Sequence, residues 1–250
     1  MTKSDPLRQL HLAFVLLTRL PLPHLPDAAF AQGARAVWAY PLVGLVVGAA
    51  GAATGQLALA AGLPLLAAAA LALAVMIIAT GAMHEDGLAD TADGFWGGYT
   101  PARRLEIMRD SQIGTYGVLA LVVAFVLRLA AVMALLGAGG WAALPVAAAL
   151  SRAMMPTLMA TLPPARSDGL SHSVGRPTNG AAAGAALLAG GITLAIWGMG
   201  GLTLLGIAAV AAALIAALAR RKIGGQTGDV LGAAQQTSET ALLLACAALI

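Results

Sequence analysis

Charge is scarce in this chain: 14 Lys and Arg and 11 Asp and Glu residues are spread over 250 positions. A soluble domain carries roughly a quarter charged residues, so the composition excludes an ordinary water-soluble globule. With 60% apolar residues and a mean hydropathy of +0.86 it is the composition of an integral membrane protein. Cysteine is scarcer still, with Cys246 alone in an apolar run, which excludes a disulfide framework or a thiolate metal site within one chain. No internal repeat is strong enough to support the inverted halves of a transporter. The net charge of +3 does not point to nucleic acid, because the basic residues cluster at the ends of apolar runs, where they set topology.

Apolar runs of about 20 residues, the spanning length, can be drawn at 37–61, 63–83, 115–137, 141–162, 181–199, 202–219 and 230–250. This predicts an all-α polytopic transmembrane helical bundle of about seven spans. Alternate connections carry the charge: Lys3, Arg8, Arg19 and Arg35 before the first run, Arg103, Arg104 and Arg109 after the second, Arg166 and Arg176 after the fourth, Arg220, Arg221 and Lys222 after the sixth. The positive-inside rule makes that face cytoplasmic, with the N-terminus inside and the C-terminus outside. Trp38, Tyr40 and Tyr116 near inner ends and Trp141 and Trp197 near outer ends fit interfacial belts. Gly44 with Gly48, and Gly180 with Gly184, have helix-packing spacing.

Residues 1–36 form an N-terminal segment. Lys3 and Arg8 ahead of Leu10–Leu17, with Ala29-Phe30-Ala31 beyond, have the outline of a signal peptide, but Arg19 and prolines 21, 23 and 26 interrupt it. An amphipathic helix lying on the membrane surface is the expectation. Residues 37–250 then form a transmembrane helical domain, with cytoplasmic loops at 84–114, 163–180 and 220–229 that hold the polar motifs from which a catalytic role is expected.

Against this apolar background His84-Glu85-Asp86-Gly87-Leu88-Ala89-Asp90-Thr91-Ala92-Asp93-Gly94 stands out. On a helix Asp86, Asp90 and Asp93 fall on one stripe within roughly 60° of arc. Hard oxygen donors suit magnesium, which takes one or two carboxylates, keeps water and recruits substrate phosphate oxygens. The plainer reading is a solvated acidic helix face. A zinc-protease motif fails because position 88 is Leu.

A second cluster runs from Arg103 through Arg109, Asp110 and Ser111 to Gly117. Forked guanidinium donors there suit a pyrophosphate, although arginines beside a span also simply fix topology. In the third, Lys222 to Ala233, Gly225 and Thr227 lie in a glycine-rich turn and Asp229 in the first turn of the helix that follows. The turn can offer N–H groups to an anion, and Asp229 can join the metal shell or act as a base, or only cap the helix. Arg128, Arg152 and Glu239 lie inside apolar runs, where an ionised group costs about 2.5–3.5 kcal/mol without a partner. Either Glu239 pairs with an arginine or a polar cavity accepts substrate. The stretch from Arg166 to Asn179, with His172 and Arg176, reads as a substrate loop or a plain connection.

Asp86-Gly-Leu-Ala-Asp-Thr-Ala-Asp-Gly94, Ile107-Met-Arg-Asp-Ser111 with Gly114-Thr-Tyr-Gly117, Gly224-Gly225 with Thr227-Gly-Asp-Val-Leu-Gly-Ala233, and Phe14 to Pro21 together resemble the cobalamin synthase family of adenosylcobinamide-GDP ribazoletransferases. The resemblance runs from about residue 14 to about 240. It implies that adenosylcobinamide-GDP reacts with α-ribazole or its 5′-phosphate, releasing GMP and giving adenosylcobalamin or its 5′-phosphate, in the bacterial inner membrane with the site facing the cytoplasm. On this expectation Asp86, Asp90 and Asp93 hold Mg2+, Asp229 and Asp90 are catalytic, and Arg109, Asp110, Ser111, Gly225, Thr227, Arg152 and Glu239 contact substrate. Glu85 is left out of the metal set. Membrane lipid surrounds the chain, nucleic acid is not a partner, and a homo-oligomer is compatible with the sequence. The alternatives are another magnesium-dependent Asp-rich membrane transferase, of CDP-alcohol phosphotransferase or prenyltransferase type, and an ion-coupled permease.

Overall fold

In a computed structural model, which describes residues 5–250, the chain is built from helices alone apart from one isolated bridge between Pro164 and Gln226. Lys3 lies outside the described residues. In chain order the helices are α1 (Pro6–Leu17), α2 (Asp27–Phe30), α3 (Gly33–Ala36), a 3-10 turn (Val37–Ala39), α4 (Tyr40–Ala60), α5 (Leu65–Thr80), α6 (Met83–Gly97), α7 (Pro101–Ile107), α8 (Thr115–Gly137), α9 (Ala143–Thr161), α10 (Leu170–Val174), α11 (Asn179–Trp197), α12 (Gly200–Ile223) and α13 (Gly228–Leu249). The all-α polytopic bundle expected from the runs is what the chain forms.

Five helical stretches are long and apolar enough to cross a bilayer: Gly33–Ala60, Thr115–Gly137, Ala143–Thr161, Asn179–Trp197 and Gly200–Ile223. The outward side of α8 carries Leu119, Val122, Val123 and Val126, all more than half exposed, as a lipid-facing stripe requires. The run expected at 63–83 is shorter than drawn. Gly81 and Ala82 both take left-handed backbone (φ 64° and 57°), their N–H groups close back on Ile78 and Ile77, and α6 leaves at 86° to α5. Ala82 bears the strain of a conformation that suits glycine. The run expected at 230–250 is α13, long enough to span but with Asp229, Gln235, Gln236 and Glu239 among its first 12 residues. Those groups are tolerated because α13 is a central helix, packed against α6, α8, α9 and α12.

Glycine sets how closely these helices approach. Gly44 and Gly48 on α4 lie against the α9 backbone, where a Cβ on Gly44 would run into the Ala148 carbonyl and one on Gly48 would sit 2.5 Å from Pro145 Cα. Gly180 and Gly184 have the same spacing but no such neighbour, their nearest being Thr178 Oγ1 at 3.9 Å and Trp38 Cβ at 3.7 Å. Spacing alone did not separate a packing seam from an incidental pair. Gly44→Ala is therefore expected to cost about 1–3 kcal/mol through overpacking, read as a lowered unfolding temperature in detergent, whereas Gly184→Ala leaves it nearly unchanged.

The N-terminal segment is integrated with the bundle: α1 packs on α3 and α4, Trp38 Nε1 donates to Gln9 Oε1 at 2.7 Å, and the Arg19 N–H reaches the Ala79 carbonyl at 2.8 Å. Tyr40, expected at an interfacial belt, is instead buried, 3% exposed, beside the cavity described next.

Candidate active site

Two glycines bring the carboxylates together. A Cβ on Gly87 would lie 2.8 Å from the Asp229 carbonyl and one on Gly232 3.3 Å from Gly87 Cα, so α6 and α13 cross nearly backbone to backbone. That crossing puts Asp86, one residue before Gly87, and Asp229, three before Gly232, on the wall of one cavity of about 220 Å³. Asp86 also lines a second, wider cleft of about 570 Å³ that contains Thr18, Arg19 and Thr80. Leu16, Met83 and Leu170 line both spaces, so Asp86 stands where they adjoin.

Asp90 lies one turn further along α6. Burial, with the negative charges of Asp86, Asp229 and Asp93 around it and only Arg166 opposing, pushes its carboxyl up to about 7. Burial likewise raises Asp229, against the pull of Arg166 and of the Thr227 hydroxyl. Crowded, half-buried carboxylates of this kind are what a hard cation relieves. Among the described residues no three His, Cys, Asp or Glu side chains are gathered closely enough to enclose a metal by themselves. The arrangement suits magnesium, whose shell is completed by water and substrate phosphate.

Asp93 departs from the stripe reading. Its Oδ2 accepts the Gly114 N–H at 2.7 Å and its Oδ1 the Gly117 N–H at 2.9 Å, and the residue is buried. Both oxygens are thus engaged by the otherwise unpaired N–H groups of the first turn of α8, whose own N-cap residue, Gly114, makes no side-chain cap. Gly114 and Gly117 lie directly against this carboxylate, with no room for a Cβ. Asp93→Ala is expected to cost about 0.5–2 kcal/mol, as loss of a helix cap does, with the unfolding temperature falling while Mn2+ binding by the remaining carboxylates persists.

Arg166 is the side chain that sequence reasoning missed. It lines the cavity, its Nη2 lies 3.2 Å from Asp229 Oδ2, and its buried Nη1 has no hydrogen-bond partner. Its Nε lies 3.6 Å from Asp168 Oδ1, and Asp168 in turn accepts Arg109 Nη2 at 2.6 and 2.7 Å on the exposed surface. Arg109 therefore connects to the site through Asp168 and Arg166. Asp110 and Ser111 are exposed on the same turn and do not line the cavity; the Asp110 carboxylate accepts the Gln112 N–H at 3.0 Å.

The glycine-rich turn before α13 is occupied by protein. A Cβ on Gly225 would collide with the Pro163 carbonyl, while Gln226 N–H donates to Pro163 O and Ala165 N–H to Gln226 O, both at 2.8 Å. Gly225 thus lets the Arg166 loop dock, while the Gly228 end of the turn lines the cavity. Thr227 caps α13: its hydroxyl accepts Val230 N–H at 3.3 Å and donates to Asp229 Oδ2 at 3.1 Å. Arg104 donates to the Gly98 and Lys222 carbonyls and Arg176 to Ala160, while Arg103 pairs with Glu106 on the exposed surface.

Arg152 and Glu239 have protein partners. Glu239 Oε1 accepts Arg128 Nη2 at 2.7 Å; its Oε2 accepts Gln235 Nε2 at 2.6 Å and lies 3.4 Å from Arg152 Nη1. Arg128 Nη1 reaches Glu85 Oε1 at 3.0 Å and Gln236 Oε1 at 2.8 Å. This buried network ties α6, α8, α9 and α13 together behind the cavity. It answers in favour of pairing the alternative that the sequence left open, and it explains Glu85.

A model of cobalamin-5-phosphate synthase matches residues 9–247. The chain belongs to the cobalamin-5-phosphate synthase family. It is 47% identical over 252 residues to the adenosylcobinamide-GDP ribazoletransferase of Bradyrhizobium diazoefficiens, covering 99% of this chain and 96% of the relative. It is 47% identical to the protein of that name from Mesorhizobium japonicum (93% and 90% covered) and 45% identical to that from Azorhizobium caulinodans (98% and 97%). No solved structure matches it. Membership of the cobalamin-5-phosphate synthase family sets aside the permease and the other Asp-rich membrane transferases.

Proposed function

We propose that this chain joins adenosylcobinamide-GDP to α-ribazole or α-ribazole 5′-phosphate, releasing GMP and giving adenosylcobalamin or its 5′-phosphate. The observation that carries the reading is the meeting of Asp86, Asp229 and the Arg166 guanidinium on one cavity wall, with Asp86 at the junction with the second cleft and Asp90 close enough to feel all three charges, in a family whose curated relatives bear that name. A ribazole hydroxyl attacks the cobinamide-linked phosphorus, the new P–O bond forms as the bond to GMP breaks, and the hydroxyl proton passes to a base. Asp229, on the cavity wall and steered by Thr227 and Arg166, is the group assigned to take that proton.

Asp86 and Asp90 are the residues that would hold magnesium, with Asp229 beside them. When bound there, it supplies charge neutralisation for the diphosphate and for departing GMP. Arg166 keeps a free buried N–H, the forked donor that a phosphate oxygen accepts. The basic connections support an inner-membrane location with this site on the cytoplasmic side, and the lipid-facing stripe of α8 supports contact with membrane lipid. The test is product analysis: purified protein given adenosylcobinamide-GDP and either ribazole form yields GMP and the corresponding cobalamin in equal amounts. GMP formed without ribazole, or no product from well-folded protein with either form, overturns the reading.

A further inference from the structure

We propose that the 220 Å³ cavity receives the aromatic base of the ribazole substrate, so that its ribose emerges between Asp86 and Asp229. This rests on the transfer proposed above and adds which part of which substrate enters there. The cavity is asymmetric. Asp86 and His84 come from α6, Asp229 from α13, Arg166 from the loop before α10 and Ser171 from α10, whereas Leu17, Met155, Met159, Val174 and Leu231 make an apolar wall.

Size and polarity then choose among the groups the two substrates carry. An apolar protein cavity of about 150 Å³ admits benzene, so 220 Å³ accommodates a fused bicycle and excludes a corrin ring. Guanine is small enough, but it carries donors and acceptors around most of its rim, and those that fall against Leu17, Met155, Met159 and Val174 would go unpaired, at about 1–3 kcal/mol for each. A dimethylbenzimidazole is apolar except at its ring nitrogens. Thioethers such as those of Met155 and Met159 adapt to irregular outlines and pack well on aromatic rings. His84 supplies the remaining chemistry: it lines the cavity, is 1% exposed, and neither ring nitrogen has a hydrogen-bond partner. In a protein interior an unpaired imidazole calls for an explanation, and a turn of this buried ring on binding would bring it a base nitrogen or ribose hydroxyl as partner. The wider cleft on the other side of Asp86, with Arg19, is left to the diphosphate substrate.

The experiment varies each substrate separately, with wild-type protein and with Met159→Phe, which reduces the cavity. The expected result is a KM for the ribazole substrate at least tenfold higher, with the KM for adenosylcobinamide-GDP within twofold of wild type. An equal rise in both, a rise confined to adenosylcobinamide-GDP, or no change overturns the assignment. Should Met159→Phe fail to fold, an azido-benzimidazole α-riboside crosslinked to wild-type protein replaces it. Label on residues 155–159 or 231 supports the proposal, and label only elsewhere, or none, as expected if an acyl chain fills the cavity, overturns it. Wild-type protein that crosslinks there but forms no cobalamin would fail the transfer reading and not this one.

Discussion

Glu239→Ala is expected to be the most destabilising single change away from the carboxylate site. It removes the carboxylate shared by two guanidiniums, Arg128 and Arg152, each 3% exposed at the side chain. Arg128 retains Glu85 and Gln236, but Arg152 retains only the Ala148 carbonyl at 3.0 Å, and Gln235 and Ser151 lose their shared acceptor. Breaking a buried ion pair by removing one partner costs about 3–5 kcal/mol, a large part of the roughly 5–15 kcal/mol that holds a typical domain folded. Thermal unfolding in detergent reads this directly. Glu239→Gln, which keeps acceptor geometry without the charge, falls between. The double variant Glu239→Leu with Arg152→Met, which removes the stranded charge along with its partner, is more stable than the sum of the single changes predicts. A loss in the double variant equal to the sum of the Glu239→Leu and Arg152→Met losses would show that the network is not held by the pairing.

Asp229→Asn is expected to lower turnover by about 10²–10⁴, the usual contribution of a general base, with little loss of fold because Thr227 still caps α13 through Val230. Asp90→Asn also lowers turnover, and its effect on stability has the opposite sign to that of Glu239→Ala. Asp90 is held above its ordinary carboxylate range by burial and by three like charges, so neutralising it relieves repulsion in cation-free protein. GMP release and unfolding temperature measured on the same preparations separate the two cases. A variant of Asp229 or Asp90 that keeps full turnover would remove that residue from the site.

The sequence made the helical class, the polar connections and the acidic stripe legible, because each is a repeated signal: runs of spanning length, alternation of charge, and carboxylates at helical spacing. What it could not show depends on partners distant in the chain. Asp86, Asp90 and Asp93 look equivalent at three- and four-residue spacing, and only the position of α8, more than 20 residues later, assigns Asp93 to its first turn. Arg166 resembles any basic residue beside a span until the Pro163–Gln226 contact brings its loop against Asp229. A glycine needed for close approach looks the same in sequence whether a phosphate or, as at Gly225, a carbonyl approaches. The 86° turn between α5 and α6 was masked by apolar residues running through to Met83, although Gly81 is the residue expected at a helix C-terminus. His84 gave one usable signal, an imidazole at the end of an apolar run.

The central proposal is that Asp86, where the two cavities adjoin, and Asp90, one turn further along α6, hold one cation with Asp229 beside them. Mn2+ titration of purified protein followed by electron paramagnetic resonance tests it without relying on turnover. The account predicts one bound Mn2+ per chain, competed by Mg2+, strengthened by GDP-bearing substrate, and weakened at least tenfold in Asp86→Asn and in Asp90→Asn but not in Asp93→Ala. Unchanged binding in the first two variants, or loss in Asp93→Ala alone, would contradict it.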